Sequence, residues 1–149
     1  MSIEVRKAQS ADANEVYRLL QQFVVSYQPE RAKFDDQFPR LMASEEACFL
    51  VADIEGICGY ALALRVPTLY ANGDLWELQE LMVAPERRTQ GVGAELLKAV
   101  ISHARAEGAV EVVVPSRRAG GYYLRHGFTE AASYYKLRLN ASEGVNSSR

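Results

Sequence analysis

The stretch Ala84–Val100, "APERRTQGVGAELLKAV", places two arginines and two glycines directly ahead of an amphipathic helix. Glycine in a helix costs roughly 1 kcal/mol relative to alanine, so Gly91 and Gly93 at a helix mouth require a reason. Packing does not supply one, because the apolar stripe that would bury this helix (Leu96, Leu97, Val100, Ile101, Ala104) begins only after them. The remaining explanation is close approach to the backbone by something negatively charged. A helix N-terminus presents unpaired N–H groups and a partial positive charge, and residues without a Cβ let a phosphate reach them.

On the N-terminal side of this stretch, "DLWELQELMV" (Asp74–Val83) reads as a strand that ends before Pro85. Ahead of it, "CFLVADIEGICGYALALRV" (Cys48–Val66) alternates on both sides of Glu55-Gly56, the pattern of a hairpin with a tight turn. The three strands predict an antiparallel meander. Further upstream, Ile3–Ala8 predicts a first strand and Ser10 offers a helix N-cap. Val16, Leu19, Leu20, Phe23, Val24 and Tyr27 then recur at spacings of three and four, predicting a helix from about Ala11 to Ser26. Gln28–Ser44 is less regular, and Pro39 allows at most a short helix around "QFPRLMAS", so this segment reads as a mobile wall of a binding site.

On the C-terminal side, the long helix ends at Gly108, and "VEVVV" (Val110–Val114) reads as a strand buried on both faces. Strand, helix and strand predict a right-handed parallel crossover. A short helix from about Arg118 to His126 follows, stopped by Gly127, and "SYYKLRL" supplies a last strand. Residues 1–140 are expected to form a single domain, with 141–149 as a polar C-terminal tail.

The composition narrows the function. With 149 residues, 48% of them hydrophobic, the chain can bury one sizeable core. A net charge of -2 argues against a surface built for nucleic acid, so the arginine cluster must be read locally. No apolar run approaches the roughly 20 residues that span a bilayer, and the N-terminus lacks a signal-peptide h-region, so a cytoplasmic location and no membrane partner are expected. Cys48 and Cys58 lack CxxC spacing and read as free buried thiols; with only two histidines besides, no metal site is expected.

Three phosphate-binding patterns compete for the glycine loop. Walker A needs GxxxxGK[ST], which is absent. The dinucleotide fingerprint GxGxxG would need a third glycine where Leu96 stands, and a strand opening a βαβ unit rather than closing a meander. Arg/Gln-x-x-Gly-x-Gly/Ala is satisfied throughout by "RTQGVG" (Arg88–Gly93). The strand texture "ELMVAP" stands immediately before it, and "YYLRHGF" follows downstream. On these motifs, and on an element order that matches from the first strand to Leu139, the chain resembles the GNAT superfamily of acetyl-CoA-dependent N-acetyltransferases.

The resemblance implies a mixed α/β (α+β) fold whose central, mostly antiparallel sheet of about six to seven strands is flanked by about four helices. It implies acetyl-CoA as cosubstrate, its pyrophosphate held by the backbone of Arg88, Thr89, Gln90, Gly91, Val92, Gly93 and Ala94, with Arg87 and Arg88 adding charge. Arg117 or Arg118 would reach the phosphate on the ribose. Many family members carry asparagine near the end of the fifth strand; Ser116 stands there, weakening one contact to the pantetheine arm. The implied chemistry is direct attack by an amine in a ternary complex, with Glu80 as general base, often through water, and Glu77 as second choice. Strict alternation puts these two glutamates on opposite strand faces unless a bulge intervenes. The family carries such a bulge, and the N–H of Val83 or Met82 then serves the carbonyl oxygen. Tyr123 matches the tyrosine that protonates the departing thiolate.

The acceptor is expected between Tyr27–Ser44, the "PTLYANG" linker and the last strands. Phe23, Tyr27, Phe34, Tyr70, Trp76 and Tyr134 are its candidate lining, with Asp35, Asp36 and Glu77 as partners for an ammonium group. A small-molecule amine is favoured over a protein amine. Open strand edges are compatible with a homodimer, and many family members are dimers. The alternative function is a non-catalytic module that binds CoA or another phosphate ligand as a sensor or partner subunit.

Overall fold

A computed structural model describes residues 2–23, 27–116 and 120–139 of the chain. It comprises two compact units, Met1–Val114 and Pro115–Arg149. In the first unit, five strands form one sheet in the order β1-β2-β3-β4-β5: Glu4–Lys7, Ala47–Asp53, Ile57–Pro67, Asp74–Val83 and Glu111–Val113. Neighbours pair antiparallel except β4 and β5, which run parallel. The β2–β3 hairpin turns at Glu55 (φ +54°) and Gly56 (φ +122°), as the alternation on either side of them predicts. Helices α1 (Ala13–Gln21), α2 (Arg31–Ala43) and α3 (Val92–Ala106) complete this unit, and α4 (Gly120–Arg125) lies in the second.

Register determines which side chains share a face. Leu62 pairs with Glu80, but Ala63 pairs with Leu78, so Gln79 is an extra residue in β4, a β-bulge. Glu77 (opposite Leu64), Glu80 (opposite Leu62) and Met82 (opposite Tyr60) therefore share one face. Trp76, Leu78, Leu81 and Val83 occupy the other. The bulge brings both glutamates to one side, which simple alternation forbids.

Helix α3 covers the second face. Leu96, Leu97, Val92 and Val100 are fully buried with Trp76 and Leu78, and the Trp76 ring stands edge-on to His103 of α3 with centroids 4.8 Å apart. Gly59 permits this close packing: a Cβ there would lie 2.9 Å from the Met82 carbonyl oxygen, 3.1 Å from Val92 Cγ1 and 3.2 Å from Leu96 Cδ1. On the first face, α1 and α2 pack through a relay of rings. Tyr17–Phe34, Phe34–Phe38, Phe38–Phe49 and Phe49–Tyr60 have centroids 5.0, 5.3, 5.2 and 6.0 Å apart, within the range of favourable aromatic pairs.

Several expectations are corrected. The segment read as irregular is the 13-residue helix α2, with Pro39 inside it. Proline there forfeits one intrahelical hydrogen bond, a loss offset by burial of Phe38 and the packing of Phe34. The first helix is shorter than expected, a 3-10 turn at Ser10–Asp12 followed by α1; Ser10 does not cap it, and Asp12 accepts the Gln9 N–H at 2.8 Å. Ser26 lies outside the described residues. β5 is three residues long and half-buried rather than enclosed on both faces. "SYYKLRL" forms no strand, because a strand needs a ladder partner and α4 is the regular element of its unit among the described residues. The sheet thus has five strands, not six to seven, while the four helices match the expected number.

Candidate active site

The bulged part of β4 opens into a cavity of about 270 Å³ between the sheet, α1 and α2. Val16 and Leu20 of α1 form one wall, and Lys33, Phe34, Gln37, Phe38 and Leu41 of α2 form another, with Pro29 and Glu30 leading into it. Phe49, Tyr60, Leu62 and Glu80 supply the sheet side. Glu80 reaches the cavity from its place opposite Leu62, on the face it shares with Met82. Tyr60, buried on β3, donates its hydroxyl to Glu80 Oε1 at 2.6 Å, with Met82 Sδ 3.4 Å away. Burial, and then the charge of Glu80, push ionisation of the Tyr60 phenol far up, so it stays a proton donor. Sequence reasoning missed Tyr60; the only available signal was its place in "GYALAL", on the strand facing the bulge.

At the edge of β4, Ala84 N–H donates to the Cys58 carbonyl at 2.8 Å. By the alternation of an antiparallel ladder, the N–H and C=O of Val83 then point away from β3. The Val83 carbonyl indeed accepts from Arg88 Nε at 3.1 Å. β5 accompanies β4 only along Leu75–Glu77, two residues short of Gln79.

The loop after β4 starts as a 3-10 turn, Pro85–Arg87, and passes through Thr89 at φ +74° and Gly91 at φ +84°. A β-branched residue at positive φ is an outlier, and such strain gathers at ligand-binding loops. Gly91 N-caps α3, and Glu95 N–H makes the first intrahelical bond, to Gly91 O at 3.0 Å. The N–H groups of Gly91, Val92, Gly93 and Ala94 have no acceptor inside the helix. A Cβ on Gly91 would meet nothing within 4 Å, so the outer side of the loop is open. Arg87 Nη1 donates to Gln90 Oε1 at 3.2 Å, and the Arg88 guanidinium lies 5.5 Å from the centroid of the Phe23 ring.

The profile of the acetyltransferase (GNAT) family matches residues 13–128. The chain belongs to the GNAT acetyltransferase family. As a GNAT enzyme it is an N-acetyltransferase, and the family's cosubstrate is acetyl-CoA. No curated protein matches it. Solved structures share the GNAT fold. A transcriptional regulator from Bacillus halodurans C-125 superposes with a TM-score of 0.86 at 19% identity, covering 93% of this chain and 100% of that one. Glucosamine-6-phosphate N-acetyltransferase from Arabidopsis thaliana gives 0.81 at 16% identity, covering 94% and 100%. Ribosomal-protein-alanine N-acetyltransferase from Brucella melitensis biovar Abortus 2308 gives 0.71 at 17% identity, covering 93% and 99%.

In this GNAT enzyme, some expected site residues gather and others do not. Glu80 lines the cavity, and Phe34 joins it there. Glu77 shares the face of Glu80 but takes a 2.6 Å hydrogen bond from Gln79 Nε2 instead of lining the cavity. Trp76 is corrected: it is fully buried on the α3 face, with the Arg65 guanidinium 5.3 Å from its centroid, and cannot touch an acceptor on the face of Glu80. Tyr70 projects from the β3–β4 loop, 74% exposed, and neither it nor Tyr27 lines the cavity. Asp35 is paired with Arg31 at 2.8 Å. In the second unit, Ser116 is exposed, and Tyr123 sits on α4 with its ring 5.2 Å from Tyr122 and 5.5 Å from Phe128. Burial, and then Tyr122, raise the ionisation range of the Tyr123 phenol. Arg117 and Arg118 lie outside the described residues. Among the described residues, no three or more His, Cys, Asp or Glu side chains are grouped to hold a metal, and no helix is long and apolar enough to cross a membrane.

Proposed function

We propose that the enzyme acetylates a small-molecule primary amine held in the cavity between α1, α2 and the sheet. The observation that carries this reading is Glu80, fixed through one oxygen by Tyr60 and lining an otherwise mostly apolar cavity. Acetyl-CoA supplies the activated acetyl thioester. Its diphosphate fits the open side of the loop, where the N–H groups of Gly91, Val92, Gly93 and Ala94 start α3 and no Cβ intervenes at Gly91. Thr89 and Gln90 shape that loop, and Arg87 lies beside it as an added cation.

An alkylamine with a pKa near 10.4 is almost wholly protonated at neutral pH, so the site must remove a proton. Glu80 Oε2, the oxygen not engaged by Tyr60, takes it directly or through one water as the nitrogen adds to the acetyl carbon. The N–H of Val83, aimed away from β3 where β5 no longer flanks the strand, donates to the carbonyl oxygen as charge builds there. The family resemblance assigns the proton for the departing thiolate to Tyr123, whose phenol burial keeps protonated at neutral pH. The bulge at Gln79 adds local twist and opens the edge on which this depends.

The test is CoA thiol release across an amine panel with wild type and Glu80→Gln. A hundredfold or greater fall in kcat, with acetyl-CoA still raising the Tm of the variant, is the expected result. Undiminished turnover by Glu80→Gln would remove Glu80 from the base role.

A further inference from the structure

We infer that the acceptor is a compact, apolar monoamine, an aromatic or branched alkyl body carrying one ammonium group. This deepens the reading of Glu80 as the group that receives the amine and rests on it. Neighbours of this fold carry names as different as glucosamine-6-phosphate and ribosomal-protein-alanine N-acetyltransferase, so the fold leaves the acceptor open and this cavity must decide it.

Three properties of the cavity agree. Its size, about 270 Å³, falls just below the usual span of ligand pockets, about 300–1,000 Å³. Its walls are mostly carbon: Phe34, Phe38, Phe49, Leu20, Leu41 and Leu62 offer no hydrogen-bonding atoms from their side chains, and Gln37 is the one side-chain amide in the lining. A polyhydroxylated amine would find few partners there beyond Gln37, Tyr60 and the charged groups, with a penalty at each hydroxyl left unpaired. The ionisable lining groups are Glu30, Lys33 and Glu80, whose formal charges sum to -1, the complement of one ammonium group. For a second cationic centre the lining offers one further carboxylate, Glu30, offset by the like charge of Lys33, which makes no salt bridge among those of the described residues. With Tyr60 on one oxygen of Glu80, one carboxylate oxygen remains for the amine. A flat or branched apolar body beside it fills the ring-lined volume, and the short ring relay from α2 to Tyr60 gives edges and faces for it to pack against.

The test compares phenethylamine and isopentylamine with spermidine, glucosamine and a peptide bearing an N-terminal alanine. CoA release reports turnover, and saturation-transfer NMR reports binding independently of turnover. The two apolar amines are expected to exceed the others about a hundredfold in kcat/KM. Phe34→Ala should raise their KM about tenfold. Lys33 is exposed, so Lys33→Glu tests the charge argument without burdening the fold; it should raise the spermidine-to-phenethylamine ratio in kcat/KM about tenfold. Apolar amines that bind and lose binding in Phe34→Ala, but are never acetylated, would leave the cavity as their binding site and overturn them as acceptors. Turnover confined to spermidine, glucosamine or the peptide would overturn the substrate class and leave acetyl transfer standing. Neither binding nor turnover of the apolar amines would overturn the inference outright.

Discussion

Tyr60 reaches Glu80 diagonally across two strands: Tyr60 is paired with Met82, yet its hydroxyl donates to Glu80 Oε1 at 2.6 Å. Same-face diagonal neighbours come within reach of long side chains, and Glu80 shares the face of Met82, with the bulge at Gln79 directly beyond it. Tyr60→Phe keeps the ring against Phe49 and deletes only the hydroxyl. Hydrogen bonds to charged groups are worth about 1.5–3 kcal/mol, so loss of orientation at Glu80 should lower kcat about tenfold or more. KM for the amine should move less than about twofold, since the apolar walls are untouched. Steady-state kinetics with an intact kcat would reduce Tyr60 to a packing residue.

Two glycines separate stability from ligand binding. In Gly59→Ala the new Cβ would press on the Met82 carbonyl at 2.9 Å and on α3. Overpacking of this kind costs about 1–3 kcal/mol, so Tm should fall by about 4–8 °C for a loss of about 2 kcal/mol, while the stabilisation by acetyl-CoA survives. Gly91→Ala meets no atom within 4 Å, and its folded-state cost is the positive φ alone, about 1 kcal/mol. Here Tm should drop only slightly and most of the acetyl-CoA-induced shift should vanish. Thermal unfolding of both variants with and without acetyl-CoA reads the contrast; a full ligand shift in Gly91→Ala would move the phosphate site elsewhere.

Asp12 gives the fold an acid-sensitive clasp. Its carboxylate takes both Arg6 amino groups, at 2.9 and 3.1 Å, and Arg6 also bridges to Asp53 at 3.3 Å. The Arg6 hydrogen bonds, aided by the Gln9 N–H and opposed by burial, hold Asp12 below the usual carboxylate range. A lowered folded value means the stabilisation is complete above the unfolded value of about 3.9 and is lost as pH falls through the folded one. Asp12→Asn should therefore cost about 2 kcal/mol at neutral pH, and its Tm should converge on wild type in strong acid. Parallel Tm curves down to the lowest pH would show that the clasp contributes nothing through its charge.

Cys48 and Cys58 are free and buried, as their places in alternating strands predict. Burial pushes the Cys48 thiol up to about 11 and raises Cys58 as well. Both should alkylate at neutral pH roughly a hundredfold more slowly in the native protein than in denaturant, because the thiolate is the reactive species. Intact-mass time courses distinguish this from rapid native labelling, which would require the strands that carry them to open readily.

The parts of the molecule written by local rules were legible in the sequence. The hairpin around Glu55-Gly56, the strand Asp74–Val83 and the glycine-led start of α3 follow from alternation, turn chemistry and helix spacing. The parts set by long-range pairing were not. Nothing in "ELQELMV" marks Gln79 as extra; that is decided by its partner strand, and with it the common face of Glu77 and Glu80. Trp76 beside Glu77 looked like substrate lining, yet pairing with Arg65 assigns it to the buried side under α3. Pro39 argued against a long helix, and the packing of Phe34 and Phe38 overrode it.

Gln79 makes β4 one residue longer than its partner needs. Without it, Leu78 and Glu80 would still stand opposite Ala63 and Leu62, but the ladder would run unbroken and lose the extra twist. Endurance and catalysis therefore make opposite demands on the length of this strand. Laboratory selection for heat resistance alone should discard the residue, and selection for turnover should keep it.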